Sequence, residues 1–369
     1  MKKINIVFYI YQMGAGGAAR TLLNIINNLD RDKFSPILVT LNYDGSYEHA
    51  LKDDVKFIKL DTKRLSRSIF KLAKIIREEK VDIVFSTIPR VNTIAILAKI
   101  FSFTKAKNVV READNLGGTQ KENVQLLGFG LMYRLANQIV SLSEGVKNNL
   151  VDRYKVPRKS IEVVYNPVDV DNIEQLANKE EDFQHASLFD TDDKIVITAG
   201  RLVPQKDQHT MLRAFAKVNE QTPSRLMLLG EGELYEELNE LARELHIADR
   251  VHFLGFQQNP YVYFRHADLF VLSSKHEGFS HVIAESLATK TPVVSTNCKS
   301  GPSEVLDKGK YGLLSPVGDE QKLADNMLTV LQKNPQELQE IKDKGFERAT
   351  FFHSSKIVRQ YEQIFFDVL

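Results

Sequence analysis

The chain has 369 residues, of which 43% are hydrophobic and 26% charged; these values are typical of a two-domain globular protein and exclude a disordered or low-complexity chain. Its single cysteine, Cys298, excludes an intrachain disulfide and any cysteine-based metal site, and indicates a reducing compartment. The net charge of +1 hides an asymmetry, because residues 1–165 contain 27 lysines and arginines against 16 acidic residues, whereas the remainder contains 22 against 32. We therefore expect the first half to face an anionic partner, either acidic lipid or a phosphorylated acceptor.

Strands and helices alternate through the first half of the chain. Apolar runs predict strands at 4–10, 35–41, 82–86, 108–111 and 138–141, and helical spacing predicts helices near 18–29, 66–80, 91–102, 120–135 and 144–152. The first run follows Met-Lys-Lys, but it contains Asn5 and leads into a glycine turn, which favours a buried strand over a signal peptide. No window of 18 uncharged apolar residues predicts a membrane span. We expect a cytoplasmic protein.

Residues 63–80 form the most basic stretch of the chain. Arg64, Arg67, Lys71 and Lys74 follow helical spacing as a basic stripe, beside an apolar stripe on the same predicted helix. One interpretation is a surface helix whose cations are only solvated. The other is peripheral contact with anionic headgroups on the inner face of the cell membrane.

The second half repeats the alternation, with strands predicted near 194–199, 225–229, 251–254, 268–272 and 291–296. Residues 170–192 are charged and read as a linker or a peripheral helix. The whole pattern predicts an α/β protein with two doubly wound parallel sheets and right-handed crossovers. A last helix is predicted at 354–369.

Two glutamates flank the turn that follows the strand at 268–272. Glu277 is predicted in the loop, and Glu285 in the first turn of the next helix. Such turns lie at the carboxyl ends of parallel strands, where ligands bind, and a carboxylate there can accept two hydrogen bonds from a sugar diol. The spacing alone favours the other interpretation, in which Glu277 is a solvated loop glutamate and Glu285 is a first-turn glutamate favoured by the helix dipole.

Two further turns are suited to phosphate. The strand at 194–199 ends in Gly200-Arg201, and Lys206 follows shortly after, so that two cations lie at the same sheet edge as the glutamates. After the strand at 291–296, the turn Ser300-Gly-Pro-Ser-Glu304 opens a helix with Pro302 in its first turn. Together these turns indicate a diphosphate and sugar site.

These motifs resemble the C-terminal half of the family-four retaining glycosyltransferases, which have the GT-B fold. The resemblance rests on Gly200-Arg201-Leu, Lys206, Val251–Phe256, Ala267-Asp268, Glu277-Gly-Phe with Glu285, and Gly301-Pro with Glu304. It extends over the first half through Gly16-Gly17 with Arg20, and Asn166-Pro-Val-Asp169. It implies two Rossmann-like domains facing across a cleft. Residues 1–168, with helix 354–369 packing back, would form the acceptor side, and residues 169–353 would bind the nucleotide sugar.

The resemblance also implies roles for individual residues. Arg201 and Lys206 would bind the donor diphosphate and Glu277 the transferred sugar, and these are the implied catalytic residues. Glu285 would bind the ribose, the stretch from Phe253 to Gly255 would lie beside the base, and Ser280 and His281 would present backbone N–H groups. The implied substrate-binding residues are Gly16, Gly17, Arg111, Asn166, Gly200, Phe253, Gly255, Phe279, Ser280, His281, Val282 and Glu285.

The first domain departs from the family pattern at two positions. Ala19 stands where many members have Glu, and Ala113 stands close to where many have His, so no catalytic histidine is assigned. Arg111 and Asn115 are expected either to touch acceptor or phosphate, or, for Arg111, to pair structurally with Glu112 or Asp114.

The resemblance implies a retaining, metal-independent transferase of the bacterial polysaccharide or lipid-linked glycan type. It would move a hexose or N-acetylhexosamine from a UDP-sugar to a carbohydrate or lipid-linked acceptor, with no cofactor, no metal and no nucleic-acid partner. The alternatives are a sugar-nucleotide epimerase or phosphorylase on the same fold, or a non-catalytic nucleotide-sugar-binding protein. The presence of Arg201, Lys206, Glu277 and Glu285 together argues against a non-catalytic protein.

Overall fold

The computed structural model describes residues 3–14 and 16–369. It contains two compact units, divided between Pro167 and Val168 and again between His353 and Ser354. Unit 1 is the chain up to Pro167 together with Ser354–Leu369, and unit 2 is Val168–His353. Among the residues described, no helix is both long and apolar enough to cross a membrane.

Unit 1 contains a parallel sheet of seven strands in the order β3-β2-β1-β4-β5-β6-β7. The strands are β1 Ile4–Tyr9, β2 Phe34–Thr40, β3 Lys56–Lys59, β4 Ile83–Thr87, β5 Lys107–Glu112, β6 Gln138–Ser141 and β7 Ile161–Val163. The helices are α1 Gly17–Asn28, α2 Ser68–Glu78, α3 Pro89–Ser102, α4 Gln120–Tyr133, α5 Glu144–Asp152 and, from the end of the chain, α14 Ser354–Asp367.

Helices cover both faces of this sheet, which explains why its central strands are apolar on both sides. Ile6 and Phe8 of β1 pack on the face covered by α1 and α14. Val7 and Tyr9, which point the other way, pack on the face covered by α2 and α3. The predicted last helix is α14, and its buried Tyr361 packs edge-on against Phe85 of β4.

Unit 2 contains a second parallel sheet, of six strands in the order β10-β9-β8-β11-β12-β13. The strands are β8 Lys194–Ala199, β9 Ser224–Leu229, β10 Val251–Gly255, β11 Leu269–Leu272, β12 Val293–Thr296 and β13 Leu313–Ser315. The helices are α6 Val170–Ala177, α7 Gln208–Asn219, α8 Tyr235–Glu244, α9 Tyr261–Arg265, α10 His281–Ala288, α11 Pro302–Val305, α12 Glu320–Leu331 and α13 Pro335–Phe351. Two doubly wound parallel sheets confirm the predicted fold class.

Three details of the predicted elements are wrong. The sequence prediction missed β3, β7 and β13, which have only three or four residues each and include half-exposed positions. The basic segment is not one helix, because Leu65–Arg67 is a separate 3-10 turn and α2 begins only at Ser68. Its four cations therefore do not form a single helical stripe. Finally, α10 begins at His281, so Glu285 lies in its second turn and not in its first.

Candidate active site

The predicted site residues of unit 2 lie where the strand order of its sheet reverses. Strands β8 and β11 are parallel neighbours, and the chain continues outward from them in opposite directions. The loops at the carboxyl ends of two such strands diverge and leave a crevice, which is where open α/β sheets bind ligands. Gly200, Arg201 and Lys206 follow β8, and Glu277 follows β11.

Close backbone packing fixes the loop after β8. Gly230, at φ +136°, lies directly behind Gly200, and a Cβ on Gly230 would be 2.1 Å from the Gly200 carbonyl oxygen. A Cβ on Gly200 would be 3.3 Å from the Lys206 Cε, because the lysine stem runs over this glycine. Glycine at both positions lets the Lys206 side chain lie flat on the end of the strand.

Lys206 and Glu277 form an ion pair at the centre of the site. The Lys206 Nζ donates to Glu277 Oε1 over 2.6 Å, and the two side chains are only 16% and 10% exposed. Ser274 Oγ donates to the same carboxylate oxygen over 2.7 Å. Two of the three predicted catalytic residues are therefore in contact, in an environment with little water to screen their charges.

The loops that carry this pair are tied to each other by hydrogen bonds. Ser273 Oγ donates to the Lys206 carbonyl over 2.8 Å, and the Lys275 N–H donates to the Gln205 carbonyl over 2.8 Å. Gln205 Nε2 in turn donates to the His276 carbonyl over 2.9 Å. The separation of Lys206 and Glu277 is thus set by backbone contacts and not only by their own ion pair.

The only cysteine of the chain lies close to this pair. Burial raises the pKa of the Cys298 thiol to about 12, and the negative charge of Glu277 acts in the same direction. The thiol is therefore protonated at neutral pH, and a protonated, buried thiol is a poor nucleophile. Cys298 contributes packing to the site and not covalent chemistry.

The start of α10 provides the second part of the site. Ser280 is the N-cap at φ +69°, and its side chain makes no capping bond. Its Oγ is buried, and within residues 3–14 and 16–369 it has no hydrogen-bond partner. A Cβ on Gly301 would be 3.0 Å from this Oγ. The first N–H groups of a helix have no carbonyl one turn earlier, so the start of α10 is suited to binding an anion. The Ile283 N–H of this turn donates to the Ser280 carbonyl over 3.1 Å.

Glu285 and Phe279 lie inside unit 2 beside this helix start. Glu285 is 2% exposed, and the Tyr261 hydroxyl is 3.5 Å from its Oε1. Phe279 is buried, and its ring meets that of Phe352 edge-on at 5.1 Å. The Glu285 carboxylate therefore lies in the interior of unit 2. The interpretation of Glu277 as a solvated loop glutamate is wrong, because its side chain is only 10% exposed.

Arg201 and the end of β10 complete the predicted set in unit 2. The Arg201 side chain is exposed and makes no hydrogen bond or ion pair with any residue that the structure describes. Phe253 is half-buried against Tyr235, with ring centroids 5.2 Å apart. Gly255, at φ +68°, accepts a hydrogen bond from the Gly230 N–H over 2.7 Å. The ends of β8, β9 and β10 are thus connected through glycine backbone.

In unit 1, Gly16 is the N-cap of α1 and Gly17 is its first residue. Both are exposed, and their neighbour Ala15 lies outside the described residues. Arg20, one turn into α1, donates to the Tyr47 hydroxyl through Nε over 2.9 Å and Nη2 over 2.6 Å. The glycine turn follows β1, so it lies at the point where the order of the unit 1 sheet reverses.

Arg111 and Asn166 are brought together in the interior of unit 1. Arg111 is 1% exposed and donates to Asn166 Oδ1, to Thr87 Oγ1 over 3.0 Å and to the Tyr361 hydroxyl over 3.2 Å. These partners do not include Glu112 or Asp114, the two acids that the sequence offered as partners for Arg111. These contacts join β4, β5 and α14 to Asn166 in the interior of unit 1, and they give Arg111 a structural role.

Sequence reasoning missed Ser274, Tyr261 and Gly230. The Gly230-Glu-Gly232 turn directly follows the predicted strand at 225–229, so a third glycine-rich strand end was visible in the sequence. Ser274 and Tyr261 carried no such signal, because their contacts depend on the fold. Within the described part of the chain, no group of three or more His, Cys, Asp or Glu residues is arranged to hold a metal ion.

The sequence matches two family models. Residues 179–348 match "Glycosyl transferases group 1", and residues 15–172 match "Glycosyltransferase Family 4". A relative from Campylobacter jejuni is 32% identical over 97% of this chain and 98% of its own; it is an N-acetylgalactosamine-N,N'-diacetylbacillosaminyl-diphospho-undecaprenol 4-alpha-N-acetylgalactosaminyltransferase. The N-acetyl-alpha-D-glucosaminyl L-malate synthase of Bacillus anthracis is 30% identical over 81% of this chain and 78% of its own. The crystal structure of Anabaena Alr3699/HepE in complex with UDP-glucose superposes with a TM-score of 0.82 at 21% identity, covering 98% of this chain and 99% of the other.

Proposed function

Because this chain belongs to the family-four glycosyltransferases with the GT-B fold, we propose that it transfers a hexose or N-acetylhexosamine from a UDP-sugar to a carbohydrate or lipid-linked acceptor. The anomeric configuration is retained, and no metal takes part. The observation that carries this proposal is the contact of Lys206 with Glu277 at the ends of β8 and β11, beside the start of α10.

The donor diphosphate binds between the cations and the helix start. Lys206 has three N–H donors and uses one on Glu277, so it can bind a phosphate oxygen without leaving the carboxylate. Arg201 belongs to the same loop after β8, is exposed, and can bind a phosphate in bidentate fashion. The N–H groups at the start of α10 and the Ser280 hydroxyl supply further donors. Fixed donors of this kind stabilise the charge that develops on the leaving diphosphate.

The two carboxylates bind the two sugars of the donor. Glu277 accepts hydroxyls of the transferred sugar, and its contacts with Lys206 and Ser274 hold it in one orientation. Glu285 accepts the ribose diol, and Phe253 and Gly255 lie beside the base. We assign Glu277 the role of positioning the sugar, and the acceptor's hydroxyl attacks on the face from which the diphosphate leaves. Retention follows from that geometry.

A lipid-linked acceptor of bacterial surface glycan synthesis is the acceptor class we favour. Its support is the Campylobacter jejuni relative, whose name specifies a diphospho-undecaprenol substrate and whose sequence aligns with nearly this whole chain. Such an acceptor lies in a bilayer, so we propose that the protein works peripherally on the inner, cytoplasmic face of an anionic membrane. The basic segment 63–80 contributes cations, although Lys71 and Lys74 are each within 4 Å of a carboxylate, Asp61 and Glu78.

Two measurements test the transfer. Thermal unfolding with a panel of UDP-hexoses and UDP-N-acetylhexosamines should raise the midpoint for the true donor, because ligand bound to the native state stabilises it. With that donor, free UDP should be released only when acceptor is added, and the product should have the donor's anomeric configuration. An epimerase would convert the donor without acceptor, and a phosphorylase would require inorganic phosphate; either result would overturn the proposal.

A further inference from the structure

Helices α2, α3 and α4 pack side by side on one face of the unit 1 sheet, and their outward surface is unusually apolar. Of the fifteen large hydrophobic side chains that are exposed in the described residues, eight belong to this surface. They are Phe70, Ile100, Phe101, Phe103, Val124, Leu127, Leu131 and Leu135. We call this surface the α2–α4 face. Apolar side chains concentrated in one region of a surface indicate an interaction site.

Three phenylalanines make up the most exposed part of this face. Phe70 of α2 is 70% exposed, and its ring lies 5.2 Å from that of Phe101. Phe103 is 87% exposed and caps the end of α3 at φ +53°, a conformation that helix ends usually assign to Gly or Asn. The Phe103 ring therefore packs little against unit 1 and is available for contact with another molecule.

A basic cavity of about 730 Å³ lies beside the ends of α2 and α3. Five cationic side chains line it: Arg77, Lys80, Lys99, Lys105 and Lys107. The lysines form no ion pair with any residue described in the structure. Asp82 and Leu369 also line the cavity, and the Asp82 carboxylate accepts a hydrogen bond from the Asn5 N–H over 2.9 Å. The cavity is therefore suited to an anion of phosphate type.

The charge of this region selects among the partners that an apolar face could have. Residues 63–135 contain 14 lysines and arginines against 6 aspartates and glutamates, which is most of the positive excess of the first half. A second copy of this chain bound face to face would place these like charges opposite each other, which disfavours a symmetric dimer. A bilayer with anionic headgroups matches both the apolar side chains and the cations.

We propose that the α2–α4 face binds the surface of an anionic bilayer. The rings of Phe70, Phe101 and Phe103 insert at headgroup level, and the basic cavity holds a lipid phosphate. This inference names the surface that makes the proposed membrane contact. It rests on the proposed function for the choice of a bilayer as the partner. It moves the contact away from the stripe Arg64, Arg67, Lys71 and Lys74. It is independent of the donor site, because the α2–α4 face belongs to unit 1 and the donor residues belong to unit 2.

Flotation with vesicles tests this binding. The protein should float with vesicles of phosphatidylcholine containing about a third phosphatidylglycerol, and much less with phosphatidylcholine alone. The charge variant Lys99→Gln, Lys105→Gln, Lys107→Gln should bind on the order of a hundredfold less tightly, because each cation near such a surface contributes about a fivefold factor. The apolar variant Phe70→Gln with Phe103→Asn should bind roughly tenfold less tightly or worse. Asn at 103 keeps a residue that tolerates positive φ.

Matched variants control for charge and for general hydrophobicity. Lys52→Gln, Lys159→Gln, Lys179→Gln removes three exposed lysines elsewhere, and Val317→Gln removes an exposed apolar side chain of unit 2. Both should float like wild type, and all variants should keep the wild-type melting midpoint and acceptor-dependent UDP release with a short soluble acceptor.

Three results would overturn the inference. The first is wild-type flotation of both the charge variant and the apolar variant. The second is equal loss of flotation in the matched controls, which would mean that net charge alone drives binding. The third is a concentration-dependent dimer that Phe103→Asn abolishes, which would make the face an interface between copies. Loss of UDP release in wild type with normal flotation would refute the transfer and leave the membrane surface intact.

Discussion

The ion pair between Lys206 and Glu277 allows its structural contribution to be separated from its contribution to the reaction. Lys206→Met keeps a long apolar stem over Gly200 but removes the charge, and leaves the Glu277 carboxylate, 10% exposed, without its cation. Removing one partner of a buried pair typically costs about 3–5 kcal/mol. Because both side chains keep slight exposure, we expect about 3 kcal/mol of lost stability in unit 2.

A second substitution, Glu277→Gln, should restore the stability that Lys206→Met removes but should not restore turnover. Glu277→Gln added to Lys206→Met removes the uncompensated charge, and Gln can still accept the Ser274 hydroxyl bond, so most of the lost stability should return. Turnover should not return. Loss of the lysine alone should lower turnover by on the order of a hundredfold, because the cation stabilises the leaving diphosphate.

Hydrogen exchange of the β8 and β11 amides measures the stability of unit 2, and UDP release measures turnover. The assignment is refuted if the double variant recovers turnover together with stability, because the pair would then matter only for folding. It is also refuted if Lys206→Met retains near-normal turnover.

Three further predictions concern other buried groups. Burial raises the pKa of Glu112 to about 7, so the unfolded chain releases this proton at lower pH than the folded chain. The free energy of unfolding should therefore fall by about 3 kcal/mol between pH 4.5 and pH 7. In urea unfolding, Glu112→Gln should flatten this pH dependence, and an unchanged dependence would mean that another group is responsible. Gly230→Ala should lower the melting midpoint by several degrees, since its Cβ would overlap the Gly200 carbonyl, and Gly128→Ala, which meets nothing within 4 Å, should not. Glu285→Gln should weaken UDP binding in calorimetric titration by about tenfold or more, and unchanged affinity would put the ribose elsewhere.

The sequence was informative wherever a single local feature decides the structure. Apolar runs covered on both faces identify central strands such as β1 and β8, and glycine followed by cations identifies the loop that carries Lys206. Short edge strands gave weaker signals: β3, with sequence Lys-Phe-Ile-Lys, buries too little to stand out from a loop. The position of Glu285 was missed by one turn because α10 begins as early as His281, directly after its N-cap Ser280.

Contacts between distant parts of the chain could not be predicted from sequence. Arg111 meets Tyr361 across 250 residues, and nothing near Arg111 in the sequence indicates that its partners are neutral groups of other elements. The prediction of a single basic helix in residues 63–80 was wrong for a related reason. The periodicity indicated one helix, but Leu65–Arg67 forms a separate 3-10 turn. The basic cavity is lined partly by lysines that follow α3 in the sequence, Lys105 and Lys107.

Hydrogen exchange with and without UDP tests the central claim most directly, because it reports where the nucleotide binds. UDP should protect backbone amides in two segments, Gly200–Lys206 after β8 and Gly278–Glu285 at the start of α10. Protection should be weaker in Lys206→Met and should leave the α2–α4 face unchanged. Protection confined to unit 1, or protection of neither segment at saturating UDP, would contradict the assignment of the donor site.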